Sequence, residues 1–314
     1  MGKAPEMAAV GGATRTAAFT ALAAVAPMSW GTTYLVTSEF LPPDRPLLSG
    51  VLRTLPAGLA VLLVTRMVPR GRWWWRSAVL GLLNIGAFNA LLFVAAYRLP
   101  GGVAATLISM QPLLVAGLAV VLLGERPTTW RLGWGVAGVA GVALMVLRGE
   151  ASFDLLGVVA GVAAAASMAT GIVLIKRWGQ PNDAGLLSFT GWQLAAGGLL
   201  VVPLAVIAEG PLPELDTAAI GGYAWLAIVG TLVAYVLWFQ GVGRLPVAAV
   251  SFLVLLSPAV ATALGWLVLG QPLTTLQTVG FVVAMVSILG AQLTPQGARA
   301  LLSTTPRTSH SATR

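Results

Sequence analysis

Polar and aromatic side chains that interrupt long apolar stretches of this chain are suited to bind or guide a small solute. They act by hydrogen bonding and ring contact, and inside hydrocarbon each polar group needs a partner from protein, water or ligand. We therefore predict that they line a substrate pathway. The candidates are Trp30, Thr33, Tyr34, Asn84, Asn89, Gln111, Pro112, Tyr235, Trp238, Ser257 and Pro258.

The two prolines in this set predict interrupted helices. A proline lacks the backbone N–H and crowds the carbonyl four residues earlier. Pro112 therefore frees the carbonyl of Ile108, and Pro258 frees that of Val254. Helices interrupted at corresponding positions point to a central binding site. A kink whose polar groups are satisfied by neighbouring helices is the alternative.

The aromatic and amide candidates have a packing alternative as well. Trp30 and Tyr34 lie four residues apart on one helical face, where they form either the wall of a solute site or a contact between helices. Asn84 and Asn89 contact either solute or a neighbouring helix. Trp238 belongs either to the pathway or to an aromatic belt at the membrane surface.

Arg53 is the only charged residue inside an apolar stretch. A charge at the centre of a bilayer costs at least about 2.5–3.5 kcal/mol, so its side chain needs compensation. One interpretation is that it extends outward toward Glu39 or Asp44. The other is that it contacts a substrate carboxylate. The sequence leaves both open.

The inventory of reactive side chains excludes most enzyme classes. The chain has no Cys, and its single His, His310, lies close to the carboxyl terminus. Every Asp and Glu lies in a loop or at the end of an apolar stretch. We therefore expect no catalytic residue, no metal site and no cofactor, and no intramembrane carboxylate for proton coupling.

The composition is that of an integral membrane protein. Hydrophobic residues make up 57% of the 314 residues, charged residues 9%, and the mean hydropathy is +0.88. Soluble domains carry about 25% charged residues. We predict an all-α fold with ten transmembrane helices, because most apolar stretches have the length that crosses a bilayer. These segments, numbered 1 to 10, are 17–38, 46–65, 77–97, 102–123, 130–147, 155–175, 185–207, 218–240, 247–269 and 273–292.

The positions of Lys and Arg predict the orientation. They concentrate in loops 2–3, 4–5, 6–7 and 8–9 and in both termini, whereas the opposite loops hold only Arg45, Arg98 and Arg148. This bias places both termini in the cytoplasm. It also attributes the positive charge to topology rather than to nucleic-acid binding. We expect a cytoplasmic segment at 1–16 and a disordered cytoplasmic tail at 293–314.

An internal duplication divides the chain into two halves. The tripeptide Arg-Leu-Pro is followed by a proline and then a glycine at the same spacings in two places, and the offset is 146 residues (from 98 to 244). We predict repeats at 17–147 and 148–292. Each repeat holds five segments, an odd number, so the two halves cross the membrane in opposite senses. Inverted repeats are typical of secondary transporters that work by alternating access.

At these residues the sequence resembles the drug/metabolite transporter superfamily, specifically its ten-span EamA-type members. The matching residues are Trp30-Gly31, Arg53, Pro112, Leu123-Gly124-Glu125-Arg126-Pro127, Trp192-Gln193, Pro258 and Leu269-Gly270-Gln271-Pro272. Gln271 departs from the family, which often has Glu there. The resemblance implies export of a small organic solute (an amino acid, a related metabolite or a drug) across a bacterial inner membrane. A channel or a lipid-handling protein without coupled transport is the alternative function.

Overall fold

The computed structural model describes residues 4–124, 129–146, 154–242, 253 and 256–292. This part of the chain consists of helices and connecting turns, without a β-strand. The all-helical class that the composition predicts is therefore confirmed.

Each of the ten predicted segments contains a helix in the structure. The helices are Ala4–Gly31 and Thr33–Phe40 in segment 1, Pro46–Thr65 in segment 2, Trp73–Gly81, Leu82–Ala87 and Phe88–Arg98 in segment 3, Gly101–Ser109 and Gln111–Leu123 in segment 4, Thr129–Val146 in segment 5, Leu155–Trp178 in segment 6, Leu186–Glu209 in segment 7, Thr217–Ala224, Trp225–Val233 and Ala234–Val242 in segment 8, Leu256–Leu267 in segment 9 and Thr275–Gln292 in segment 10.

Six of these segments are long and apolar enough to cross a membrane, and the protein is accordingly a multi-pass membrane protein. They are segments 2, 3, 4, 6, 7 and 8. Segments 9 and 10 contain shorter apolar helices, Leu256–Leu267 and Thr275–Ser287. The number of ten crossings remains a prediction.

Segment 4 is interrupted where the sequence predicts it. Its two helices meet at Met110, whose N–H donates to the carbonyl of Leu107 at 3.2 Å. Pro112 follows at the second position of the next helix, where the missing N–H needs no partner within the helix. In the second copy, Pro258 is buried inside Leu256–Leu267, and Val254 lies outside the described residues.

Three further interruptions are not evident in the sequence. Segment 1 breaks at Thr32, whose hydroxyl donates to the Ser29 carbonyl at 2.7 Å. Segments 3 and 8 each contain a π-helix, at Leu82–Ala87 and Trp225–Val233. With the offset of the repeat, the first π-helix falls within the second. π-Helices are uncommon and occur frequently at functional sites.

Segments 2 and 7 cross closely at two glycines that follow Arg53 and Gln193 by five residues each. Gly58 lies against the backbone of Ala195, and a Cβ built on Gly198 would lie 2.8 Å from the Cβ of Leu55. As residue numbers rise along segment 2, those of its contacts on segment 7 fall. The two helices therefore run antiparallel, although they hold the same position in the two halves.

Segments 5 and 10 form a second antiparallel pair. The indole N–H of Trp130 donates to the Gly290 carbonyl at 2.8 Å. Further along segment 5, a Cβ on Gly141 would lie 2.7 Å from the backbone nitrogen of Ala284. The fifth helix of each half thus packs against the other, as the second helices do.

Carboxylates at the loops fix helix ends. Glu209, at the end of segment 7, accepts the N–H groups of Leu47 and Leu48 at 2.6 and 2.9 Å and so caps segment 2. Asp154 caps segment 6 and pairs with Arg98 at 2.9 Å. Hydrogen bonds from the helix N-terminus and from this arginine hold the pKa of Asp154 below its ordinary value. The three acids described here stabilise ends of helices.

Candidate functional site

Arg53 lies in the interior between segments 1, 2 and 8. Its side chain is 7% exposed. Nε donates to the Thr231 hydroxyl at 3.3 Å, and Nη1 donates to the Thr33 hydroxyl at 3.4 Å. Nη2 donates to the carbonyl of Gly230 at 3.4 Å. Three segments that are distant in sequence therefore converge on one guanidinium.

The outward interpretation of Arg53 is wrong. The guanidinium turns toward segments 1 and 8, and Glu39 and Asp44 do not pair with it. The physical reason is that two hydroxyls and a carbonyl offer acceptors in the interior, so the side chain is solvated by protein without extending to the membrane surface.

These acceptors compensate the charge only weakly. Hydrogen bonds from a charged N–H to an anionic oxygen are typically about 2.7–2.9 Å long, and those of Arg53 are 3.3–3.4 Å. All three acceptors are neutral, although a guanidinium has five N–H donors. Among the described residues no carboxylate pairs with Arg53. A buried cation in this state is complementary to an anion of the right size.

An aromatic cluster adjoins the arginine. The indole N–H of Trp30 donates to the Gly230 carbonyl at 3.1 Å, so this carbonyl accepts from both Trp30 and Arg53. The Trp30 ring lies 6.0 Å from the ring of Tyr235 and 5.5 Å from that of Trp238. This contact favours a role for Trp238 in the interior rather than in a surface belt alone.

The structure brings together about half of the residues that the sequence singles out. Tyr34 is buried, and it and Tyr235 are the phenols that interact electrostatically with Arg53. We call the set of predicted residues that meet here the Arg53 site. Its members are Trp30, Thr33, Tyr34, Arg53, Tyr235 and Trp238. Gly230 and Thr231 complete it and were missed, since only their place within the π-helix of segment 8 distinguishes them.

One side of the Arg53 site is closed by hydroxyl groups. Ser49 precedes Arg53 by about one helical turn, and its hydroxyl lies 3.2 Å from the hydroxyls of both Tyr97 and Tyr223. Tyr97 also donates to the Pro42 carbonyl at 2.7 Å. Segments 2, 3 and 8 are thereby joined beside the arginine. Sequence reasoning missed these three hydroxyls because they lie near segment ends.

Asn84 makes the contact between helices that was the alternative to solute binding. Its amide N–H donates to Oε1 of Gln193 at 2.8 Å, and its side chain packs directly against Gly171. Gln193 in turn donates to the Phe189 carbonyl at 3.3 Å. Oδ1 of Asn84 is buried and has no hydrogen-bond partner among the described residues.

The Arg53 and Gln193 contacts are related by the repeat. Both residues stand five positions before the glycine at which segments 2 and 7 cross. Arg53 reaches the π-helix of segment 8 at Gly230, and Gln193 reaches the π-helix of segment 3 at Asn84. Gly230 and Asn84 correspond at the offset of 146 residues (from 84 to 230). Each half therefore holds one π-helix of the other, once through a cation and once through a neutral amide.

Replacing Gln193 by Leu is expected to destabilise the protein by about 1–3 kcal/mol, because the Asn84 amide then stays buried without a partner. The double variant Asn84→Leu/Gln193→Leu is expected to recover part of this loss. Thermal unfolding of the purified single and double variants in detergent measures the coupling. Additive single effects would show that the hydrogen bond contributes nothing.

Asn89 lies one turn from Arg53 across the contact between segments 2 and 3. A Cβ built on Gly50 would lie 3.5 Å from the Cβ of Asn89, and Gly50 precedes Arg53 by three residues. The Asn89 amide donates to the Ile85 carbonyl at 2.9 Å, while its Oδ1 is buried without a partner among the described residues. An unpaired acceptor therefore lies close to the buried cation.

The remaining candidates separate into two places. The carbonyl of Ser257 would lie 2.6 Å from a Cβ on Gly31, so Ser257 and Pro258 pack beside Trp30 and the aromatic cluster. Gln111 begins the second helix of segment 4 and makes no hydrogen bond to the Arg53 site within the described part of the chain. A role for Gln111 and Pro112 in the pathway stays a prediction.

A helical membrane fold with two similar halves, broken helices and a buried charged site between them defines the class of membrane transporters. The chain belongs to the EamA-like transporter family, which matches it twice, over residues 18–147 and 155–292. The two matches confirm the duplication and the resemblance inferred from the sequence.

Similar proteins carry transporter names. Protein PecM of Dickeya dadantii is 47% identical over 82% of this chain and 86% of its own length. A probable terminal-alkyne amino-acid exporter of Streptantibioticus cattleyicolor is 26% identical over 70% of this chain and 74% of its own length. The inner membrane transporter YedA of Escherichia coli is 28% identical over 85% of this chain and 89% of its own length.

A solved crystal structure shares the fold. It superposes with a TM-score of 0.60 at 21% identity and covers 90% of this chain and 99% of its own. The two-repeat helical architecture is thus not restricted to this sequence.

Proposed function

We propose that this transporter exports a small organic solute with a carboxylate group, such as an amino acid or a related metabolite, across the bacterial inner membrane. The observation that carries the proposal is the buried Arg53, whose long hydrogen bonds to neutral acceptors leave donors for an anion. The unpaired Oδ1 of Asn89 nearby suits a donor on the same solute, such as an ammonium group.

Alternating access by two inverted five-helix halves is the proposed mechanism. The antiparallel packing of segments 2 and 7 and of segments 5 and 10 supports opposite orientations of the halves. With ten crossings and the distribution of Lys and Arg, both termini lie in the cytoplasm. The bonded hydroxyls of Ser49, Tyr97 and Tyr223 close one side of the Arg53 site, which favours a gated carrier over an open channel.

Direction and substrate class draw support from a relative and from the charge of the site. The printed name of the Streptantibioticus cattleyicolor relative is that of an amino-acid exporter. A buried guanidinium repels lipophilic cations, so among drugs we expect only neutral or anionic molecules to be carried. Because the described part of the interior holds no carboxylate beside Arg53, we propose that any proton coupling uses the solute itself or exchange.

The proposal predicts selective movement of carboxylates in reconstituted vesicles. Purified protein is loaded with a panel of labelled amino acids, their decarboxylated amines and a lipophilic cation, and efflux is followed with and without a pH gradient. We expect amino acids to leave faster than in protein-free vesicles, and amines and cations to remain. Equal efflux of an amino acid and its amine would contradict the role of the carboxylate.

The orientation has its own control, since the chain has no Cys. The variant Ser303→Cys places one thiol in the carboxyl-terminal tail. In intact cells an impermeant maleimide is expected to leave it unlabelled until the membrane is permeabilised. Labelling of intact cells would reverse the proposed orientation and therefore the direction inferred for transport.

A further inference from the structure

Basic and aromatic side chains meet where segment 3 begins and segment 6 ends, far in sequence from the Arg53 site. The guanidinium carbon of Arg76 lies 5.2 Å from the ring centre of Trp73, 5.7 Å from that of Trp75 and 5.5 Å from that of Trp178. The rings of Trp75 and Trp178 pack edge to face at 5.0 Å. We call Arg76 with these three rings the Arg76 cage.

The cage holds a cation without neutralising it. Nη1 of Arg76 donates to the Trp178 carbonyl at 3.3 Å, and Nε is buried without a hydrogen-bond partner among the described residues. Ring faces attract the guanidinium and fix its plane, and they leave its net charge in place. Arg76 forms no ion pair with any described carboxylate.

More positive charge surrounds the cage. Arg72 precedes Arg76 by four residues and lies on the same side of the helix, and Arg66 and Arg70 precede it in the loop. All three are exposed. The sequence contains no Asp or Glu between Asp44 and Glu125. The surface beside the cage is therefore complementary to an anion.

The position of the cage indicates where that anion lies. Trp73 begins one apolar crossing and Trp178 ends another, so both stand where a helix leaves the hydrocarbon. Trp74 and Trp75 are 61% and 50% exposed, as expected of rings in the headgroup layer of a bilayer. About one or two turns into segment 3, Val79 and Leu82 expose apolar surface. Acyl chains of a lipid would pack there.

We propose that the Arg76 cage binds the phosphate of an anionic phospholipid, with Arg72 contributing charge and the exposed face of segment 3 contacting the acyl chains. The guanidinium edge that the rings leave open donates to the phosphate oxygens, and the rings hold it in the orientation that this contact needs. This site is independent of the solute site at Arg53. Transport can be absent while the lipid binds, and the reverse.

Thermal unfolding of the full chain in detergent tests the site, with phosphatidylglycerol or phosphatidylcholine of the same acyl chains added. We expect phosphatidylglycerol to raise the unfolding midpoint by about 3 °C more than phosphatidylcholine. This difference should disappear in Arg76→Gln and diminish in Arg72→Gln, whose exposed side chain is replaceable without loss of fold. Native mass spectrometry of the same samples counts the retained phosphatidylglycerol molecules.

The matched control is Arg98→Gln, which removes an exposed arginine from the opposite end of segment 3 and should retain the full difference between lipids. Glycerol phosphate, the soluble headgroup, should have no effect at equal concentration. Equal stabilisation by both lipids, or an unchanged difference in both Arg76→Gln and Arg72→Gln, would overturn the proposal. An equal effect of glycerol phosphate would show a site for free phosphate rather than for lipid.

Discussion

Replacement of Arg53 by Gln is expected to lower the transport rate of a carboxylate solute by about 10- to 100-fold, since each hydrogen bond to a charged group contributes about 1.5–3 kcal/mol. Arg53→Lys keeps the charge and loses the planar fork, so we expect an intermediate rate. Efflux from reconstituted vesicles measures both variants. The unfolding midpoint of each is recorded in the same preparation.

Arg98→Gln is the matched control for this experiment. It removes an arginine that pairs with Asp154 at a loop, and we expect transport to remain within about twofold of the original, because exposed ion pairs contribute little. If Arg53→Gln transports normally and only its unfolding midpoint falls, Arg53 has a packing role and the carboxylate proposal is wrong.

The second large effect concerns stability. Gly58→Ala is expected to cost about 1–3 kcal/mol or more, because the added methyl overlaps the backbone of Ala195 at the crossing of segments 2 and 7. Gly198→Ala should have a similar effect, since it occupies the corresponding position in the second half. Thermal unfolding in detergent and the yield of monodisperse protein after size-exclusion chromatography are the measurements.

Gly117→Ala provides the comparison at a helical glycine of segment 4. No described atom lies within 4 Å of the position that its Cβ would take. We expect no loss and a gain of up to about 1 kcal/mol, because Ala favours a helix more than Gly does. Equal behaviour of Gly58→Ala and Gly117→Ala would mean that segments 2 and 7 do not cross as closely as the structure indicates.

The helices were predictable because hydrocarbon imposes them. A stretch of apolar residues in a membrane must satisfy its backbone internally, so the boundaries of segment 2 (46–65) agree with the helix Pro46–Thr65. The break at Met110 was likewise predictable from Pro112, because a missing N–H is a local and covalent property.

The contacts of the site were less predictable because they join distant segments. Nothing near Arg53 in sequence indicates that Thr231 and Gly230 would offer acceptors, and an isolated helix favours extension of the side chain toward water. The two π-helices depend on which carbonyl each N–H selects. That choice follows from packing against neighbouring helices rather than from residue type alone.

The shared carbonyl of Gly230 has a consequence for the cycle of the carrier. In the structure this single oxygen restrains Trp30 of segment 1 and Arg53 of segment 2 against segment 8. A carboxylate that takes the Arg53 donors removes one of these two restraints at the moment it arrives. Occupancy would then loosen segment 8 from segment 2 while leaving it attached to segment 1, and the empty protein would be the more rigid form.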